Sequence, residues 1–191
     1  MTSLTKTNYE QLKNYLNETE GIVQTEILND TSTFMICSYW WGKGNINKNS
    51  VRGLTYDQQV DRLIAQCRKL KINYYFIRFP VFEQKGMYQI ALGLKGEFIM
   101  KCLLKFPKYK VIYIDTDLQI LQYPHLFDID ADCYFLNWNE YDFGCYNPFQ
   151  LELPGGILGF ANTHGARTLL SILNNYMIKN LHLAEIGRAH V

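Results

Sequence analysis

Long hydrophobic runs are what this chain most plainly lacks. Nowhere in its 191 residues does an uninterrupted apolar stretch approach the roughly 18 residues that a membrane-spanning helix needs. The opening, MTSLTKTNYEQLKNYLNETEG, has no apolar centre of the signal-peptide kind, so no transmembrane segment and a cytoplasmic location are expected. An excess of either charge is missing too. Nineteen Lys and Arg stand against 18 Asp and Glu, a formal net charge of +1 with no like-charged block. That speaks against a nucleic-acid surface and against a polybasic membrane patch. Cysteine is sparse and unpatterned. Cys37, Cys67, Cys102, Cys133 and Cys145 are odd in number and include no C-x-x-C pair, which argues against a zinc knuckle or a disulfide frame and for buried free thiols. The glycosylation sequons at Asn17 and Asn29 carry no weight without a secretory signal.

A core is not lacking. A hydrophobic share of 48% in a chain of one-domain length is enough to build one. Residues 33–39, TFMICSY, form a β-rich apolar run, followed by a polar loop over 40–53. Thr55 and Gln58 have the spacing of a capping box, and Val60, Leu63, Ile64, Cys67 and Leu70 then recur at helical spacing. A second strand is expected over 73–79, closed by Pro80. A long helical stripe runs from Met87 through Ile90, Ala91, Leu94, Phe98 and Ile99 to Leu103, with Gly93 and Gly96 as points where it can divide. Further strands are expected in the stretch 111–121, with its two carboxylates at the strand end, and over 133–138 and 155–161, with a closing helix near Thr163. Strands alternating with helices imply parallel βαβ units buried on both faces, with ligands outside the carboxyl ends of the strands.

The strand VIYI ends on Asp115-Thr116-Asp117, at such an edge. In an extended segment residues i and i+2 point the same way, so both carboxylates are expected to face one cation. Mg²⁺ or Mn²⁺ suits them, because such ions take one or two carboxylates and complete their shell with water and diphosphate oxygens. A polar strand end making turn hydrogen bonds is the alternative. Spacing alone decides little, since Asp-x-Asp arises by chance about once in 400 positions. Asp128, Asp130 and Asp132 repeat it at the amino end of the next strand. They also fail as a calcium loop, with Cys133 where Gly and Asn139 where Glu is needed, and are expected to be solvated turn residues.

The string KYKVIYIDTDLQIL, preceded by LKGEFIMKCLLKFP and followed by PGGILGFANTHGARTLLSILNN, resembles the nucleotide-diphospho-sugar transferases, glycosyltransferases of the GT-A fold. The likeness spans residues 33–178 and rests on order and spacing. It implies an α/β, Rossmann-like fold, with a mostly parallel central sheet and helices on both faces. It also implies a reaction that moves a sugar from a nucleotide-diphosphate sugar, a UDP-sugar foremost, to a glycan, protein or small-molecule acceptor. On that resemblance Asp115 and Asp117 hold Mn²⁺ or Mg²⁺ against the donor diphosphate, Asp115 also reaching toward the ribose. Ser38, Tyr39 and Trp40 border the base and ribose, Lys95 approaches a phosphate, and Pro154, Gly155 and Gly156 border the donor sugar. Glu140 or Asp142 is the candidate base if the anomeric centre is inverted. Trp40, Trp41 and Trp138 are candidate sugar-packing rings. For Tyr39 and Trp138 core packing, for Lys95 a snorkelling surface role, and for Gly155 and Gly156 a simple turn remain open alternatives.

Residues 186–191, IGRAHV, back-translate as ATCGGAAGAGCACACGTC, the opening of a widely used sequencing adapter. They are expected to be read-through into a truncated gene, leaving residues 1–32 as an N-terminal extension and 33–185 as an incomplete glycosyltransferase domain. The family's further metal-contacting residue would then fall in the lost part, with His182 the last candidate before the break. Two rivals remain: a non-catalytic nucleotide- or sugar-binding remnant, and a haloacid-dehalogenase-type phosphatase with Asp115 as nucleophile. The phosphatase pattern is weakened by Gln119, which stands where Thr or Val is wanted.

Overall fold

A computed structural model describes residues 12–17, 20–41, 53–85, 87–135 and 155–179. The element order is β1 (Ile22–Glu26), β2 (Phe34–Trp40), α1 (Tyr56–Leu70), β3 (Tyr74–Arg78), α2 (Tyr88–Gly93), α3 (Lys95–Lys105), β4 (Lys110–Ile114), β5 (Cys133–Phe135), β6 (Ile157–Phe160) and α4 (His164–Lys179). The strands form one sheet in the order β1-β3-β2-β4-β6-β5. Helix α1 covers one face, and α2, α3 and α4 cover the other.

The pattern of β2 explains its place. Every residue of FMICSYW is buried, as a central parallel strand covered on both faces requires. Alternate side chains divide between the two faces: Phe34, Ile36 and Trp40 pack toward α1, while Met35, Cys37 and Tyr39 pack toward α3. The capping box of α1 forms as its sequence predicts. Thr55 Oγ1 accepts from the Gln58 backbone N–H, and the Gln58 side chain accepts from that of Thr55. The stripe after Met87 divides at Leu94, immediately after Gly93. Gly96 has a different role. It lies inside α3, and a Cβ there would stand 3.0 Å from the Cβ of Asn174, so its bare backbone lets α3 and α4 approach closely.

Three features depart from expectation. The sheet is mixed by pairing: β2 pairs in parallel with β3 and β4, whereas β1 with β3, β4 with β6 and β5 with β6 are antiparallel. Because β6 runs against β4, the amino end of β6 meets the carboxyl end of β4. Residues 22–26, within the stretch read as an extension, form the edge strand β1, and Leu12 and Leu16 enter the core. Asp115-Thr116-Asp117 is a turn rather than the last residues of a strand: β4 stops at Ile114, and the Leu118 N–H donates to the Asp115 carbonyl at 3.1 Å. Strand alternation therefore does not aim the two carboxylates.

No helix among the described residues is long and apolar enough to cross a membrane.

Candidate functional site

The carboxyl ends of β2 and β4 open on a cleft of about 120 Å³. Tyr39, Trp40 and Trp41 line it from the β2 side, Tyr56 from the start of α1, and Tyr88 with Leu92 from α2. Lys95, Tyr113 and the turn 115–117 complete the wall. The space compares with the ~150 Å³ cavities that accept one benzene-sized ring. Its aromatic lining offers flat, polarisable faces to such a ring.

Lys95 is not a snorkelling surface residue. At 6% exposure it is buried, and its ammonium donates to Asp115 Oδ1 at 2.9 Å and to the Gly155 carbonyl at 2.7 Å. The Nζ also sits 4.7 Å from the centre of the Tyr113 ring. The Tyr113 hydroxyl donates to the same Oδ1 at 2.8 Å. Asp115 is fixed through its backbone as well, its N–H donating to the Gly156 carbonyl at 2.8 Å. This last bond continues the antiparallel β4–β6 ladder by one pair beyond Ile114 and Ile157. Gly156 thereby lies against the other carboxylate oxygen: a Cβ there would come to 3.4 Å from Asp115 Oδ2.

Thr116 points inward and is buried, whereas Asp117 is exposed on its outer side. Protein atoms around the inner side of Asp117 strip it of water and raise its carboxyl pKa, and the charge of Asp115 raises it further. Lys95 and Arg62 oppose that shift. Arg62 also reaches the Asp117 and Leu118 carbonyls, at 3.4 and 3.3 Å. The Tyr39 and Tyr113 hydroxyls are held well above their ordinary value, first by burial and then by Asp115, so both stay protonated and able to donate.

Three of the β2 residues expected near a base have structural partners. Ser38 is fully buried and donates to the Ile114 carbonyl at 2.7 Å, which pins β2 to the end of β4; it does not line the cleft. Tyr39 donates to the Ala91 carbonyl and packs among Phe79, Phe82, Phe98 and Tyr113, so it is a core aromatic with an edge on the cleft. Trp40 donates through Nε1 to Asp57 at 2.7 Å while also lining the cleft. Trp41 is half-buried and stacks over Tyr39 with centroids 6.0 Å apart. Glu140, Asp142, Trp138, Pro154 and His182 lie outside the described residues. The sequence alone does not single out Tyr56, Tyr88 or Tyr113; for Tyr113 the signal it offers is a position two residues before Asp115 on a buried strand.

Asp115 Oδ2 and the Asp117 carboxylate are hard oxygens of the kind a divalent cation takes, and among the described residues no cluster of three His, Cys, Asp or Glu forms. Two carboxylates fit Mg²⁺ or Mn²⁺ that completes its shell with water and phosphate oxygens, rather than an ion caged by protein alone.

No protein-family model matches this sequence, and no curated protein matches it. Among solved structures the chain is similar to one described as the crystal structure of a glycosyltransferase involved in the glycosylation of the major capsid of PBCV-1, with a TM-score of 0.46 and 15% sequence identity. The match covers 74% of this chain and 66% of that one.

Proposed function

We propose that this chain is a glycosyltransferase domain that moves a sugar from a nucleotide-diphosphate sugar to an acceptor, with Mn²⁺ or Mg²⁺ held by Asp115 and Asp117. One observation carries the reading: two carboxylates and a buried lysine, the lysine held in turn by the Gly155 carbonyl, line an aromatic cleft at the carboxyl end of a central strand. In this reading the aromatic wall takes the base of the donor, a UDP-sugar foremost. Asp115 and Asp117 face the diphosphate. Gly155 and Gly156, beside Lys95 and Asp115, border the donor sugar. When bound, the metal supplies positive charge to the departing nucleoside diphosphate. Lys95 keeps Asp115 ordered beside it.

The test is turnover of donor. The chain is incubated with UDP-, GDP-, CDP- and dTDP-sugars in Mn²⁺, and release of nucleoside diphosphate is followed with and without candidate acceptors. Mn²⁺-dependent release from one donor class is expected. Hydrolysis of simple phosphate esters, with every nucleotide sugar left intact, would instead make the chain a phosphatase.

A further inference from the structure

Asp115 carries an asymmetry that the sequence does not show. Its Oδ1 accepts two hydrogen bonds, from the Lys95 ammonium at 2.9 Å and from the Tyr113 hydroxyl at 2.8 Å, while Oδ2 is the oxygen turned toward Gly156. A carboxylate free to rotate offers either oxygen or both to a cation; one tethered twice through the same oxygen offers the other. The tether is itself anchored. Tyr113 is buried on β4, its ring edge-on to Phe98 at 6.2 Å and tilted to Tyr39 at 5.9 Å. Lys95 is fixed by the Gly155 carbonyl at 2.7 Å, which also ties the start of β6 to the helix-side donor.

We infer that Tyr113 is a positioning residue: with Lys95 it locks Asp115 Oδ1, so that the carboxylate meets a divalent cation through Oδ2 alone. The inference rests on the metal-bound nucleotide reading above and goes beyond it, because it assigns the control of the metal ligand to a phenol of the cleft wall that acts through Asp115. Tyr113→Phe removes the hydroxyl and keeps the ring. Groups that orient a metal ligand typically change metal affinity by about 10–100-fold when removed. The lower end applies here, since Lys95 remains.

The experiment measures thermal stabilisation of the full chain by a fixed, saturating concentration of UDP while Mn²⁺ is titrated. For Tyr113→Phe the Mn²⁺ concentration giving half of the effect should rise about tenfold. A packing control separates this from mere loosening: Phe98→Leu disturbs the same aromatic cluster without touching Asp115, and its Mn²⁺ midpoint should stay at the wild-type value. A Tyr113→Phe midpoint equal to wild type, or a Phe98→Leu midpoint shifted as far, overturns the inference and leaves the functional reading intact. Absence of any Mn²⁺-dependent effect in the wild type, with any of the four nucleoside diphosphates, overturns that reading and the inference with it.

Discussion

The chain contains two Asp-rich turns of almost the same composition, one at each end of its sheet, and the structure treats them differently. Asp128, Asp130 and Asp132 lie before β5, at the amino edge. Their bonds are structural: Asp132 Oδ1 accepts the Thr163 hydroxyl at 2.8 Å, its carbonyl accepts the Ala161 N–H at 2.8 Å, and Asp128 accepts the Tyr123 hydroxyl at 3.2 Å. Thr163 in turn caps α4 through the Ala166 N–H at 3.2 Å. Asp132 is thus less idle than a solvated turn residue. At the carboxyl edge Asp115 and Asp117 crowd each other beside one buried ammonium, and Asp117 titrates above its ordinary value. The lesson is that an Asp-x-Asp pattern has meaning only through its edge of the sheet and through what neutralises it.

The sharpest way to break that contrast is to neutralise each turn in the same fashion. Asp115→Asn and Asp117→Asn should each abolish Mn²⁺-dependent stabilisation by a nucleoside diphosphate, while Asp130→Asn leaves it at the wild-type level; equal effects in a thermal-shift series would erase the distinction. For the amino edge, stability is the quantity at stake. Asn73, fully buried there, accepts the Leu28 and Asn29 N–H groups at 2.7 and 2.8 Å and donates to the Asn29 carbonyl at 2.8 Å. Asn73→Ala should cost about 1–2 kcal/mol in urea unfolding without changing nucleotide affinity, because it leaves half-buried backbone groups without their partner. Asp132→Ala, which removes the support of the Thr163 cap, should cost about 1 kcal/mol by the same measurement.

The smallest expected effect concerns sign rather than size. A carboxyl raised in the folded state favours its protonated form there, so its contribution to stability is fullest below the unfolded value of 3.8 and is lost as the pH rises through the folded value. In EDTA and without nucleotide, Asp117→Asn should therefore melt slightly above wild type at neutral pH, the gap closing as the pH falls below 3.8. A variant that melts lower at neutral pH would mean that Asp117 is stabilised by its surroundings.

The sequence makes β2, α1, β3 and β4 legible because each is long in its period: a buried run in FMICSYW, a capping box followed by helical spacing, and an apolar strand ending at its carboxyl edge on two acids. It hides the direction of β6, since four apolar residues read the same both ways and only pairing with β4 sets their sense. It hides β1 because an edge strand with exposed Ile22 and Val23 has neither clean alternation nor a buried run. Lys95 is placed by sequence near the right edge, but its partners depend on β6 returning antiparallel, so that Gly155 comes within reach. Tyr113 is hidden for a similar reason. Its hydroxyl lies on the same side of the chain as Asp115, two residues on, but only the folded arrangement aims it at Oδ1 together with Lys95.

The central question is whether the carboxyl-edge turn binds a nucleotide through a metal. The direct measurement is thermal stabilisation of the wild-type chain by UDP, GDP, CDP and dTDP, each in Mn²⁺ and in EDTA, alongside Asp115→Asn. A nucleotide at about 100 times its dissociation constant adds about 2.7 kcal/mol. That gain is expected for one nucleotide, UDP foremost, in Mn²⁺ only and not in the variant. Stabilisation that persists in EDTA or in Asp115→Asn, or none with any of the four, contradicts that expectation.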